Sequence, residues 1–156
     1  MMYIRRVVLL ACAVMLAGCE NTSAPDGPEG RYTLTATEGD ALPSYVRPYQ
    51  PGSTGRELLE GQLTLSAPDQ ATFVMRSNLV AANGARGAIE IDTIRARYAP
   101  RQDGGLTLTN VGDSRFRLHA DVALNDSNRR LRAVLVVPMA TSGGYVEFLT
   151  GLDFSR

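Results

Sequence analysis

The sequence predicts an all-β domain, an antiparallel up-and-down meander of about eight strands closed into a barrel. Three observations predict it: apolar residues recur at every second position from Arg31 onward, turn-forming residues separate these stretches at short intervals, and no stretch carries apolar residues at helical spacing. Short strands with one apolar face avoid unpaired edges best by closing on themselves. A two-sheet β-sandwich is the alternative.

In the first half of the domain, each expected strand alternates apolar residues with threonine or charged residues. These strands are 31–37 (apolar Tyr32, Leu34 and Ala36), 58–66 (Leu59, Leu63 and Leu65), 70–80 (Phe73, Met75 and Leu79) and 88–99. The last one changes parity between Ile91 and Ile94, which predicts a bulge near Thr93. Without the bulge, Arg95 or Arg97 would point inward and need a polar partner.

The second half continues the same rhythm after the turn residues Asp103 and Gly104. Its strands are 105–111 (Leu106 and Leu108), 114–124 (Phe116, Leu118, Ala120, Val122 and Leu124), 129–138 (Leu131, Ala133, Leu135 and Val137) and 144–150. Short connections between successive strands favour antiparallel neighbours.

The N-terminus has the order of features found in an export signal. Arg5 and Arg6 precede an apolar stretch at residues 7–16, which is too short to span a bilayer. Small residues follow it and lead to Cys19. We therefore expect residues 1–18 to be a signal peptide that is removed. The residues expected to be recognised by the peptidase are Leu16, Ala17 and Gly18.

The run from Leu16 to Cys19 resembles the lipobox of bacterial lipoproteins. The resemblance implies that Cys19 receives a diacylglyceryl group before cleavage and that the mature protein is held to the membrane by acyl chains such as palmitate, since stable attachment needs more than one chain. Glu20, where aspartate would favour the inner membrane, points to the outer membrane, facing the periplasm or the cell surface. The alternative is an ordinary secretory signal with a chance cysteine.

Between the lipid and the barrel, residues 21–30 contain proline, glycine, serine and acidic residues, with no apolar residue larger than alanine. Such a segment predicts a flexible tether of roughly 15–20 Å as a coil. The expected organisation is residues 1–18 as signal peptide, 19–30 as lipidated N-terminus and tether, and 31–156 as a single barrel domain.

Composition excludes some classes of partner. All 16 basic residues are arginine, and removing Arg5 and Arg6 leaves 14 basic against 16 acidic residues. This balance predicts no nucleic-acid binding, which depends on neutralising phosphates. Cys12 leaves with the signal peptide and Cys19 is expected to be lipidated, so a disulfide is not expected and the core must supply stability.

The first strand and turn, Tyr32-Thr33-Leu34 followed by residues 39–43, are similar to the Tyr-x-Leu strand and Gly-x-x-Leu-Pro turn of small lipocalin-like bacterial lipoproteins. The resemblance implies a lipocalin-like barrel, in which a small apolar ligand would occupy the interior. The Gly-x-Trp motif of true lipocalins is not present, and the chain contains no tryptophan.

The loop 39–56 is long and contains three prolines and two tyrosines. Long loops in compact domains are often functional, so Tyr45, Val46 and Tyr49 are candidates for a lid over an apolar interior. The alternative is that they pack the barrel end and contribute only stability.

Arginines on the polar faces of two strands predict a basic exterior stripe that could bind an anionic partner. The stripe consists of Arg115, Arg117, Arg130 and Arg132. The alternative is pairing with carboxylates across strands, and the candidates for that pairing are Glu90, Asp92 and Asp121.

Candidates for catalysis and metal binding are few. His119 is the single histidine and lies on the polar face of its strand, where a solvated or ion-paired role is expected over that of a general base. Glu90 and Asp92 share a strand face and are the only pair considered for calcium, although two carboxylates on a wet face are expected to be merely solvated. We expect no enzyme activity, no cofactor and no metal.

Together these features predict a non-enzymatic, lipid-anchored envelope lipoprotein that binds a small hydrophobic ligand in its barrel. The alternative is an interaction module that uses its outer surface to bind another envelope protein.

Overall fold

The computed structural model of the protein describes residues 27–47, 54–125, 130–141 and 144–156, without the side chains of residues 47, 119–125, 139–141 and 144–145. The described part contains β-strands and no helix. The strands are β1 (Gly30–Thr37), β2 (Asp40–Ala41), β3 (Ser44–Arg47), β4 (Gly55–Ser66), β5 (Gln70–Val80), β6 (Arg86–Pro100), β7 (Leu106–Val111), β8 (Arg117–Asn125), β9 (Arg130–Thr141) and β10 (Gly144–Ser155).

Eight of these strands form a nearly closed antiparallel barrel, which confirms the predicted fold class. From β4 to β10 each strand pairs with the next one along the chain, and β10 pairs with β1. The ring closes where β1 pairs with β4, from Gly30 opposite Leu65 to Thr33 opposite Gln62. We call the end at which β1 begins the lower end and the end at which it stops the upper end.

The predicted loop 39–56 contains two strands that the sequence did not reveal. β2 makes a hairpin with β1, with Ala41 opposite Ala36. β3 pairs with the first residues of β4, and Thr150 of β10 donates a hydrogen bond to the Val46 carbonyl at 2.8 Å. β3 therefore fills the wall between β4 and β10 at the upper end, above the point where β1 stops.

The interior holds one continuous apolar cluster. The rings of Phe73 on β5 and Phe154 on β10 meet edge to face with their centroids 5.5 Å apart, and both side chains are fully buried. Gly61 on β4 lies beside them, and a Cβ there would stand 2.8 Å from the Phe73 ring and 3.0 Å from Leu34. Side chains thus fill the barrel at this level, as is usual for small barrels of eight strands.

The first part of β4 differs from the prediction. A register shift between Leu58 and Glu60 places Leu58 in the core, fully buried, and leaves Leu59 half-buried. Before this bulge, the residues of β4 that face the interior are even-numbered, as Leu58 is. After it they are odd-numbered, as Leu63 and Leu65 are.

The predicted bulge near Thr93 is wrong. The pairing of β6 with β5 runs without a shift from Ile89 to Arg97. Ile89 and Ile91 therefore lie on the outside of the barrel, 50% and 68% exposed. Arg95 and Arg97 are also outside and exposed, so neither arginine points inward. The polar residues of β6 that point inward are Glu90 and Asp92, on the same face as the buried Ile94.

Within the described residues, no helix is long and apolar enough to cross a membrane.

Candidate functional site at the upper end of the barrel

The upper end of the barrel wall is split between β6 and β8. β7 stops at Val111, opposite Arg95, whereas β6 extends a further nine residues, 86–94, toward the upper end. In this stretch β6 pairs with β5 on one side, and on its other side the described residues provide no paired strand. We call this side of residues 86–94 the free edge of β6.

Below the split, a side chain continues the pairing of β7 with β8. The Asn110 amide group donates to the Leu118 carbonyl at 2.8 Å, and its oxygen accepts from the Leu118 backbone N–H at 3.0 Å. The amide side chain thus replaces a backbone partner for Leu118 at the point where the two strands separate.

Two arginines and two carboxylates occupy the split. Arg56 on β4, two residues before Leu58, lies 3.0 Å from Glu90 and 4.0 Å from Asp92. Arg115, in the segment between β7 and β8, reaches Asp92 at 2.8 and 2.9 Å and Glu90 at 2.6 Å. We call Arg56, Glu90, Asp92 and Arg115 the charged cluster. Its positive and negative groups balance, which permits two carboxylates on the inward face of β6.

The two arginines of the charged cluster differ in exposure. The side chain of Arg56 is 7% exposed and also donates to Ser77, which is fully buried, at 2.7 Å. The side chain of Arg115 is 50% exposed. Both guanidinium groups lie against the buried Phe116 ring, 5.1 and 5.0 Å from its centroid. Phe116 therefore joins the charged cluster to the apolar core through cation–π contacts.

The charged cluster affects the ionisation of Glu90. Hydrogen bonds from Arg115, and then from Arg56, hold the pKa of the Glu90 carboxyl below its usual range although burial opposes the shift. On the outer face of the same end, Arg86 contacts both oxygens of Glu57 at 2.6 and 2.8 Å and lowers the pKa of that carboxyl. Both carboxylates are therefore held in their charged form.

Of the four arginines of the predicted basic stripe, Arg130 and Arg132 lie two residues apart on β9, and the other two lie away from them. Arg115 belongs to the charged cluster, and Arg117 makes an ion pair with Glu147 of β10. Arg132 lies 3.6 Å from Asp153 and 3.9 Å from Glu38. Arg117 lies opposite Val136, which is four residues from Arg132 along β9. Arg117 and Arg132 are therefore separated by about 13 Å along the strand direction. Arg130 is exposed on β9, opposite Ser155 and Asn125.

The predicted lid residues divide between wall and surface. Val46 on β3 is 1% exposed and belongs to the apolar core, and Tyr45 is 37% exposed opposite Glu57. Tyr49 lies outside the described residues, as do Leu16, Ala17, Gly18 and Cys19. His119 lies on β8 opposite Val134, but its side chain and that of Asp121 are not among those described.

Glu90 and Asp92, the pair considered for calcium, are engaged by arginines. Among the described residues, no group of three or more histidine, cysteine, aspartate or glutamate side chains could hold a metal ion. Comparisons with protein-family models, with curated proteins and with solved structures gave no match to this chain.

Sequence reasoning missed Arg56 as a member of this site because it ended the loop 39–56. Alternation within β4 gives no signal for it, because the bulge between Leu58 and Glu60 reverses which residues of the strand face inward. For Glu90 and Asp92 the signal is alternation applied backwards from Ile94, which places both inside when no bulge is assumed.

Proposed function

We propose that this protein is a non-enzymatic, lipid-anchored envelope lipoprotein that acts as an interaction module through the outside of its barrel. The observation that carries the choice of the outside is the packing of the described interior. Phe73 and Phe154 meet across the barrel, and Gly61 has no room for a side chain. A small apolar ligand would have to displace fully buried aromatic side chains, and this counts against the carrier function.

The geometry of the N-terminal segment supports a defined orientation at a membrane. The Tyr32 hydroxyl donates to the Pro28 carbonyl at 2.7 Å, and the Tyr98 hydroxyl donates to Glu29 at 3.0 Å. These contacts fix the end of the tether at the lower end of the barrel. With lipid on Cys19, the lower end would face the membrane and the split upper end would face away from it.

Membrane fractionation tests the anchor. The full-length protein should be processed before Cys19 and should remain with membranes after washing with high salt, because acyl chains and not ion pairs hold it. A Cys19→Ser variant should be released into the soluble fraction. A variant that stays equally firmly in the membrane would contradict the anchor and, with it, the envelope lipoprotein.

Ligand measurements test the choice between inside and outside. Native mass spectrometry of a form lacking residues 1–19 should show the mass of the polypeptide alone, and a fluorescent fatty acid should not bind in the barrel. Gly61→Ala should destabilise the domain by about 1–3 kcal/mol, because overfilling a packed core forces neighbours to move. A copurified apolar molecule, together with an unchanged stability of Gly61→Ala, would favour the carrier function over the interaction module.

A further inference from the structure

The free edge of β6 is less protected than the comparable stretch of β9. β9 also extends beyond β8, since its last partner there is Val136, opposite Arg117. The next stretch of β9 contains Pro138, which cannot donate a ladder hydrogen bond, and proline on an edge prevents another strand from adding. Residues 86–94, Arg-Gly-Ala-Ile-Glu-Ile-Asp-Thr-Ile, contain no proline, and their charged side chains, Arg86, Glu90 and Asp92, are all paired with opposite charges.

The outer face beside the free edge is apolar. Ile89 and Ile91 point outward with 50% and 68% of their surface exposed. On the β5 side they lie opposite Asn78 and Arg76, and Val74 one pair further along is 39% exposed. A strand added to the free edge would set its own outward side chains directly beside the two isoleucines and bury them.

Charge decides what kind of strand fits. In a second copy of this chain paired antiparallel so that Ile89 meets Ile91, Glu90 would stand directly opposite Glu90, and like charges opposite one another are destabilising. A strand with arginine or lysine on its inward face would instead meet the carboxylates of Glu90 and Asp92. Arg56 and Arg115 already pair with both carboxylates, so a basic side chain of the added strand would take the place of Arg115, the arginine whose side chain is half exposed.

The described N-terminal residues of the same chain lie away from the free edge. Hydrogen bonds from Tyr32 to Pro28 and from Tyr98 to Glu29 hold them at the lower end of the barrel, the opposite end from residues 86–94. A segment of another protein therefore fits this edge better than either a second copy or these residues.

We propose that the free edge of β6 binds an extended segment of a partner protein as an added β-strand, with apolar side chains facing outward beside Ile89 and Ile91 and basic side chains facing inward toward Glu90 and Asp92. This inference rests on the proposed interaction module and names its binding surface. Main-chain hydrogen bonds supply affinity in such strand addition, and the alternating side chains supply specificity.

Two labelled nine-residue peptides test the proposal with the full-length protein in detergent. One alternates valine and arginine, and the other alternates valine and glutamate. The arginine peptide should bind at least tenfold more tightly in fluorescence anisotropy. Amide hydrogen exchange in residues 86–94 should slow when it is bound, because their unpaired backbone groups acquire partners.

Matched variants locate the binding surface. Ile91→Lys should weaken binding of the arginine peptide at least tenfold, because an exposed lysine beside an edge opposes strand addition. Leu149→Lys is the control, since Leu149 is 66% exposed on β10 opposite Val136, far from the free edge, and it should leave affinity within twofold. Circular dichroism should show that both variants are folded.

Three results would overturn the proposal: equal affinity for the two peptides, equal losses in the two variants, or binding without protection of residues 86–94. A dimer in analytical ultracentrifugation that Ile91→Lys abolishes would also overturn it, in favour of pairing between two copies. None of these results depends on lipidation, so a failure here is distinguishable from a failure of the anchor, which fractionation of Cys19→Ser decides.

Discussion

At its lower end the barrel is closed by paired backbone, whereas at its upper end charged side chains span a split in the wall. Near the lower end β6 pairs with β7 as far as Pro100, which lies opposite Leu106. There the hydroxyl groups of Tyr32 and Tyr98 donate hydrogen bonds to the end of the tether. At the upper end β6 outruns β7, and the charged cluster with Phe116 lies between the walls. A mismatch in strand length thus makes one end of the same sheet dependent on charge.

The largest effect should come from the buried arginine of the charged cluster. Arg56→Met should destabilise the domain by about 3 kcal/mol, because it removes the buried one of the two arginines that pair with Glu90 and the donor to the buried Ser77. Arg115→Met should cost only about 1 kcal/mol, since its side chain is half exposed and solvent screens its ion pairs. Urea unfolding measures both. Equal losses would mean that burial does not set the strength of the charged cluster.

Loss of the side-chain bridge at Asn110 should have a smaller effect. Asn110→Ala removes two hydrogen bonds to the Leu118 backbone, and we expect a loss of about 1–2 kcal/mol with faster amide exchange at Leu118. Asn110→Asp keeps the acceptor for the Leu118 N–H but sets a carboxylate oxygen against the Leu118 carbonyl, so it should cost at least as much stability as alanine. An unchanged exchange rate at Leu118 in Asn110→Ala would show that β7 and β8 are held together without this bridge.

Acid should weaken the ion pairs of the upper end. Because the pKa of Glu90 is depressed in the folded state, chiefly by Arg115 and then by Arg56, ionised Glu90 stabilises the domain above its unfolded pKa near 4.5. This stabilisation is lost as pH falls through the lower folded pKa. Glu57, paired with Arg86, behaves in the same direction.

The test of this acid effect is a series of urea midpoints between pH 7 and pH 3. Glu90→Gln should remove about 1 kcal/mol or less of the acid-induced loss, as expected for a partly exposed pair. Glu60→Gln serves as a control, because the side chains of Glu60 and its partner Arg76 are both largely exposed. A loss on acidification that is identical in all three proteins would show that Glu90 does not contribute to it.

The alternation of apolar residues was sufficient to predict the barrel and its eight strands. Alternation specifies which residues face the core, and the turn residues specify where each strand ends, so the order of an antiparallel meander follows from the chain itself. β2 and β3 were not predicted because they are two and four residues long and lie among prolines, so that they show no alternation of apolar and polar residues.

The upper end could not be predicted in the same way. The isoleucines of β6 were expected inside because side-chain polarity was taken as the guide to the inward face. The register instead continues from Ile94, and two carboxylates point inward because Arg56 and Arg115, distant in sequence, neutralise them. Such compensation depends on contacts between strands, and alternation within one strand carries no information about it.

An effect of similar size is expected at the lower end of the barrel. Tyr98→Phe removes the hydrogen bond to Glu29 and should cost about 1 kcal/mol. Burial first, and then Glu29, raises the pKa of Tyr98 to about 12, so its contribution is complete below pH 10 and is lost only as pH rises toward 12. The cost of Tyr98→Phe in urea unfolding should therefore be the same at pH 7 and pH 9, and it should decrease as the pH rises toward 12. A cost that is unchanged at pH 12 would instead mean that the phenolic proton of Tyr98 does not hold the tether to the barrel.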